Sequence, residues 1–114
     1  MKSFSAAFPI LLGKDQACKE FAETCMGPRR NECLDSLKRM GIPKETWHLQ
    51  KTPMGSFIVV HFGYEDLAKA FQVLAESGHP FDLWVRQHIL QITGYNYSKP
   101  AREPPPEEIL NMST

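Results

Sequence analysis

The chain predicts an α+β domain, an antiparallel sheet with helices packed on one of its faces. Three observations carry that expectation. An apolar extended segment opens the sequence, two alternating runs flank a Pro-Met turn in its middle, and helical periodicities fill residues 15–40 and 65–92. At 114 residues one domain is the natural organisation, able to bury roughly two-thirds of its unfolded surface.

Residues 3–12, "SFSAAFPILL", read as the first strand, and Pro9 within it favours an edge or a bulge. The opening imitates a secretory leader, but Pro9 and the following "GKDQ" interrupt that pattern, so a strand is the better reading. From Asp15 the pattern becomes helical. Cys18, Phe21, Ala22 and Cys25 lie on one stripe, and Cys33, Leu37 and Met40 on another. At about 100° per residue the second stripe is displaced by roughly a quarter turn from the first. The slip falls at Gly27-Pro28, so two helical segments with a bend are expected. Gly27 would cap the first, and Pro28 would be the first residue of the second.

Residues 45–51 and 56–62 alternate around "TPMG", which predicts a hairpin with Pro53-Met54 at the turn and a positive φ at Gly55. Residues 65–76 and 81–92 then give two helices, with Asp82 and Arg86 one turn apart as an exposed pair. "YNYS" offers a short last strand. Residues 1–98 form the domain on this reading. Residues 99–114 form a proline-rich, acidic tail expected to lie on a partner subunit.

The order strand, helix, strand, strand, helix opens the ferredoxin-like α+β plan, whose helices cover one sheet face. Alternation places Trp47, Leu49, Ile58, Val60 and Phe62 on one face and His48, Gln50, Phe57, Val59 and His61 on the other. Phe57 and Val59 make the second face too apolar for water, so two chains are expected to pair sheet to sheet as a homodimer. The segments "GPRRNECLDSLKRMGI", "WHLQKTPMGSFIVVHF" and "HPFDLWVRQHILQITG" resemble a family of small uncharacterised bacterial and environmental proteins in the dimeric α+β barrel superfamily. That resemblance, over roughly residues 4–94, implies a homodimer with a cavity between its sheets. Members of the superfamily include cofactor-independent monooxygenases, haem-degrading enzymes and chlorite dismutases, so the fold alone selects no activity. The extra helix at 81–92 and the weak last strand depart from the plan.

Candidate chemistry is sparse. His48 and His61, diagonal neighbours about 7–8 Å apart at the backbone, are candidate acid–base or catalytic residues. The plainer reading makes them polar lining of a dimer cavity, and two ligands are too few for a metal site. His88 belongs to an apolar helical stripe, and His79 serves a helix entry. Arg29 and Arg30, after Pro28, form a possible anion-binding site at a fresh helix start, unless Glu32 and Asp35 absorb their charge. Cys18, Cys25 and Cys33 are odd in number and lack a CxxC spacing. They read as free, buried thiols in a reducing, cytoplasmic setting. No phosphate loop, GxGxxG, GxSxG or HExxH occurs, and no cofactor is expected.

Formal net charge is zero, with 13 basic and 13 acidic residues, so no overall field favours nucleic acid. No apolar run approaches the roughly 18 residues of a membrane span. Three functions follow as expectations. The first is a homodimer binding a small, largely apolar, fatty-acid-like or aromatic molecule between its sheets, with His48, Gln50, Phe57, Val59 and His61 as lining. The second is a cofactor-independent oxygenase or isomerase using His48 or His61 as base. The third is a structural or regulatory protein acting through its tail.

Overall fold

The computed structural model describes residues 2–99 and 105–114 of the chain. The expected tail is thus described only in part: residues 100–104 lie outside the described residues, whereas 105–114 are exposed and form no helix or strand. Seven elements follow in order: β1 (Lys2–Pro9), α1 (Asp15–Met26), α2 (Arg30–Met40), β2 (Glu45–Thr52), β3 (Gly55–Tyr64), α3 (Leu67–Glu76) and α4 (Pro80–Thr93). The architecture is α+β, a three-stranded antiparallel sheet in the order β1-β3-β2 with four helices. "YNYS" forms no strand. Tyr95 and Tyr97 instead turn back so that their rings pack on Phe8, at 5.5 and 6.5 Å between centroids. Burying two aromatic rings against the core there takes the place of a fourth ladder.

Strand alternation decides which side of the sheet the helices cover. The register pairs Phe4 with Phe62, Ala6 with Val60 and Phe8 with Ile58, while Trp47 and Leu49 face Val60 and Ile58 from the other side. Ile58, Val60 and Phe62 are buried beneath the helices together with Cys18, Phe21, Met40 and Ile92. The hairpin forms about Pro53-Met54 as expected. Gly55 takes φ +116°, a region that favours glycine, and the Thr52 hydroxyl accepts from the Met54 amide and donates to the Gly55 carbonyl.

The helical bend is also where the apolar stripe slips. Gly27 caps α1, and a Cβ there would lie 3.0 Å from the Glu23 carbonyl oxygen, a contact that a side chain could make only with a small backbone adjustment. The second helix, however, starts later than the expected Pro28. Pro28 lies in the connecting turn, and Arg29 is the residue preceding α2. Bonds from the Arg29 amide to the Thr24 carbonyl and from the Arg30 amide to the Gly27 carbonyl close that turn, and Pro28 has no amide to contribute. Capping at the other helices uses side chains. Asp66 accepts from the Lys69 amide at the start of α3, and His79 accepts from the Phe81 amide at the start of α4, with Pro80 in the first turn.

The expected Asp82–Arg86 surface pair does not describe these residues. Asp82 is 2% exposed and accepts three hydrogen bonds, from Ser36 Oγ at 2.5 Å, Ser77 Oγ at 2.6 Å and the Arg39 guanidinium at 2.8 Å. Arg39 also pairs with Asp35. Arg86 instead donates to the Leu74 and Ser77 carbonyls, both at 2.8 Å, which satisfies the C-terminal end of α3. Burial alone would raise the Asp82 carboxyl, but the bonds from Ser36, Ser77 and Arg39 outweigh it and hold the group below its usual range. Asp82→Ala removes the acceptor and leaves the buried Ser36 hydroxyl and the half-buried Ser77 hydroxyl without it. The variant is expected to lose about 3 kcal/mol of stability in urea unfolding at neutral pH, a cost typical of breaking a buried charged network.

Candidate functional site

The helical layer does not close completely on the sheet. A partly open cavity of about 480 Å³ lies between them, within the range of roughly 300–1,000 Å³ common for small-molecule sites. Its floor is the covered sheet face, including Phe62, Val60, Ile58 and Trp47, and its walls come from all four helices, including Phe21, Leu37, Phe71 and Val85. Local packing explains the aromatic wall. Phe21, projecting from α1, stacks on Trp47 of β2 and on Trp84 and His88 of α4, with centroids 5.1–5.6 Å apart. Four residues from three elements thereby form one rigid corner.

The polar groups on this lining are few. Glu45, the first residue of β2, shares the covered face with Trp47 and Leu49 by alternation. The residue as a whole retains some exposure, but its carboxyl is enclosed by protein, and Oε2 accepts from Trp47 Nε1 at 3.1 Å. Burial pushes the carboxyl up to about 6, and the Trp47 bond only partly offsets that rise. Tyr97 borders the same space, and burial together with the neighbouring Tyr95 and Glu45 raises its phenol.

Cys25, in the last turn of α1, and Cys33, in the first turns of α2, also line the cavity. Cys18 is buried in the core, and all three cysteines are free.

Most of the residues nominated from sequence lie on the other face of the sheet. Gln50, Phe57, Val59 and His61 share the uncovered face of the sheet with His48, which also borders the cavity. His48 stands opposite Val59 and His61 opposite Thr46, so the two histidines are diagonal neighbours as expected. His61 Nδ1 is 2.7 Å from Ser5 Oγ, and both residues are exposed. Val59 is 38% exposed, whereas Phe57 is half-buried. His79 caps α4, and His88 bonds the Trp84 carbonyl inside the aromatic corner.

Arg29 has a carboxylate of its own chain. Its guanidinium grips Glu32 through two bonds of 3.0 and 2.9 Å and lies over the Trp84 and Phe81 rings at 4.4 and 4.9 Å. Arg30 is exposed. Among the described residues no group of three or more His, Cys, Asp or Glu is arranged to hold a metal ion, and no helix is long and apolar enough to cross a membrane.

Glu45, Tyr97 and the place of Cys25 and Cys33 on the cavity lining were not recognised from sequence. The signal for Glu45 was present, since it has the same parity as Trp47 and Leu49 in "ETWHL". Comparison with known proteins returns no match to a family model, a curated protein or a solved structure.

The Glu45 environment sets a pH dependence. In the unfolded chain this carboxyl ionises near 4.5, and in the folded chain near 6. Between those values the folded state keeps the proton that the unfolded state has released, so rising pH favours unfolding. Folding stability should fall by roughly 2 kcal/mol across the window, at 1.36 kcal/mol per pKa unit. Glu45→Gln should flatten that part of the profile in urea denaturation series, and an unchanged slope would refute the assignment.

Proposed function

We propose that the chain is a binding protein for a small, largely apolar molecule, aromatic rather than sugar-like, that carries a hydrogen-bond donor. The observation behind this reading is the cavity of about 480 Å³, walled by aromatic and aliphatic side chains and supplied with one enclosed carboxylate. An apolar body gains from leaving water there. A donor on the ligand supplies Glu45 with a partner besides Trp47, which lowers the cost of keeping the carboxylate ionised. The site therefore lies within one chain, beneath the helices, and does not require the paired sheets that the sequence suggested.

The strand order β1-β3-β2 with helices over one face supports reading the fold as a ferredoxin-like subunit without its fourth strand. Phe57 and Val59 on the uncovered face support pairing of two such subunits as a homodimer. On that arrangement His48, Gln50 and His61 line the seam, where a histidine base for an isomerase or oxygenase would also have to act. Sedimentation equilibrium is expected to give a dimer for the native chain and a monomer for Val59→Lys; a native monomer would reject the pairing.

N-phenyl-1-naphthylamine, an apolar fluorophore with one N–H donor, is a direct probe of the cavity. Its fluorescence should rise saturably with one probe per chain. Ala22→Phe and Val85→Phe, which fill the cavity from α1 and α4, should each weaken binding about tenfold, equivalent to about 1.4 kcal/mol, without altering far-UV circular dichroism. Unchanged affinity in both variants would exclude this cavity as the site.

A further inference from the structure

Asp82 and Glu45 both carry carboxyls enclosed by protein, yet the chain serves them very differently. Asp82 accepts from two hydroxyls and from the Arg39 guanidinium. Glu45 accepts one bond, at 3.1 Å, from the neutral indole N–H of Trp47. An ionised carboxylate has two oxygens and room for about four such bonds. The ion pairs among the described residues use Glu32, Asp35 and Asp82, and leave Glu45 without a cation.

The surroundings of Glu45 supply no countercharge. It stands opposite Phe62 in the ladder, on the sheet face that floors the cavity. No lysine or arginine is among the described residues lining that cavity. Thr46 and His48 belong by alternation to the uncovered face. Ser36 and Thr93 spend their hydroxyl protons on Asp82 and on the Ile89 carbonyl. What the lining does offer is aromatic faces, among them Phe4, Phe21, Trp47, Phe62 and Phe71. Such faces attract cations.

We propose that the cavity selects a protonated amine on an aromatic or hydrocarbon body, the ammonium group pairing with the Glu45 carboxylate and the body lying against the aromatic lining. This inference rests on the cavity being a binding site for apolar molecules, and it names the donor such a molecule carries.

Burial pushes the Glu45 carboxyl up to about 6, so at pH 7.5 it is largely ionised although poorly solvated. Folding has already stripped it of water, and a ligand that pairs with it does not incur that cost again. An ammonium brings three N–H donors together with the missing charge. Its own lost hydration is offset by the carboxylate and by the aromatic faces. An alcohol of the same shape brings a donor without the charge, and charge-assisted bonds are roughly twice as strong as neutral ones. An anionic ligand meets a like charge in a weakly screening space. The apolar body is equally required, because a bare ammonium gains nothing from the aliphatic and aromatic walls.

Isothermal titration calorimetry of the native chain at pH 7.5 with three similar naphthalenes tests this. 1-Naphthylmethylamine should bind at least about tenfold more tightly than 1-naphthalenemethanol, and 1-naphthoate more weakly than both. Methylammonium, with the charge but no body, should give no measurable heat at concentrations that saturate the naphthyl amine. Glu45→Gln keeps the side-chain length and an acceptor for the Trp47 indole but loses the charge. In that variant the amine and alcohol affinities should come within about twofold of each other. A second readout needs no variant: the Glu45 side-chain carboxyl 13C resonance of the native chain should move on adding the amine. Equal affinity for amine and alcohol in the native chain overturns the inference. So does an unmoved Glu45 resonance at saturation, or an amine preference that survives in folded Glu45→Gln. N-phenyl-1-naphthylamine separates the two readings. If it binds while amine and alcohol bind equally, this inference falls alone, and if neither it nor any of the naphthalenes binds, both fall.

Discussion

Asp82 governs how the helices meet. Its buried carboxylate draws Ser36 and Arg39 of α2 and Ser77 at the end of α3 onto the first turn of α4. A buried charge tolerates little displacement, because any lost donor leaves it poorly solvated in a weakly screening interior. Three helices are thereby held in one register. Arg86 tightens the same junction by satisfying the last carbonyls of α3. The helical layer gains its shape from these directional bonds as well as from apolar packing, so it need not collapse fully onto the sheet. The gap it leaves is the cavity.

The cavity joins two kinds of wall. The Phe21–Trp47–Trp84–His88 corner is stiff and apolar, and Arg29 seals its outer side by lying over Trp84 while holding Glu32. Guanidinium stacking and an ion pair thus use Arg29 as a structural clamp. Beside that corner the lining turns polar at Glu45, whose carboxylate accepts from the Trp47 indole, and Cys25 and Cys33 border the same space. Burial makes the Glu45 carboxyl there resist ionisation.

Local patterns in the sequence held most of the fold. Strict alternation through Leu49 and Val60 placed the covered sheet face, and the phase slip at Gly27-Pro28 placed the bend. Pro53 and Gly55 placed the hairpin turn, and His79 before Pro80 placed the entry to α4. What escaped depends on residues far apart in the chain. Asp82 and Arg86 have the spacing of a surface pair, and nothing local reveals that Ser36 and Arg39, 46 and 43 residues away, converge on Asp82. Cys25 and Cys33 look unrelated until the two helices bring both to the lining of one cavity. Tyr95 and Tyr97 alternate as a strand would, yet aromatic burial against Phe8 wins over pairing. The His48–His61 face was legible as a face, but the cavity lies mainly on the opposite side of the sheet, where the four helices enclose space and His48 only borders it.

The position of the bound molecule is the most direct test. Methyl and amide NMR spectra of the assigned chain titrated with N-phenyl-1-naphthylamine report which side of the sheet it meets. The account predicts shifts concentrated at Ile58, Val60, Leu37, Val85 and the Trp47 indole N–H, with Val59 and the Gln50 side-chain amide little changed. Shifts centred on Val59 and Gln50 would move the site to the uncovered face and contradict it.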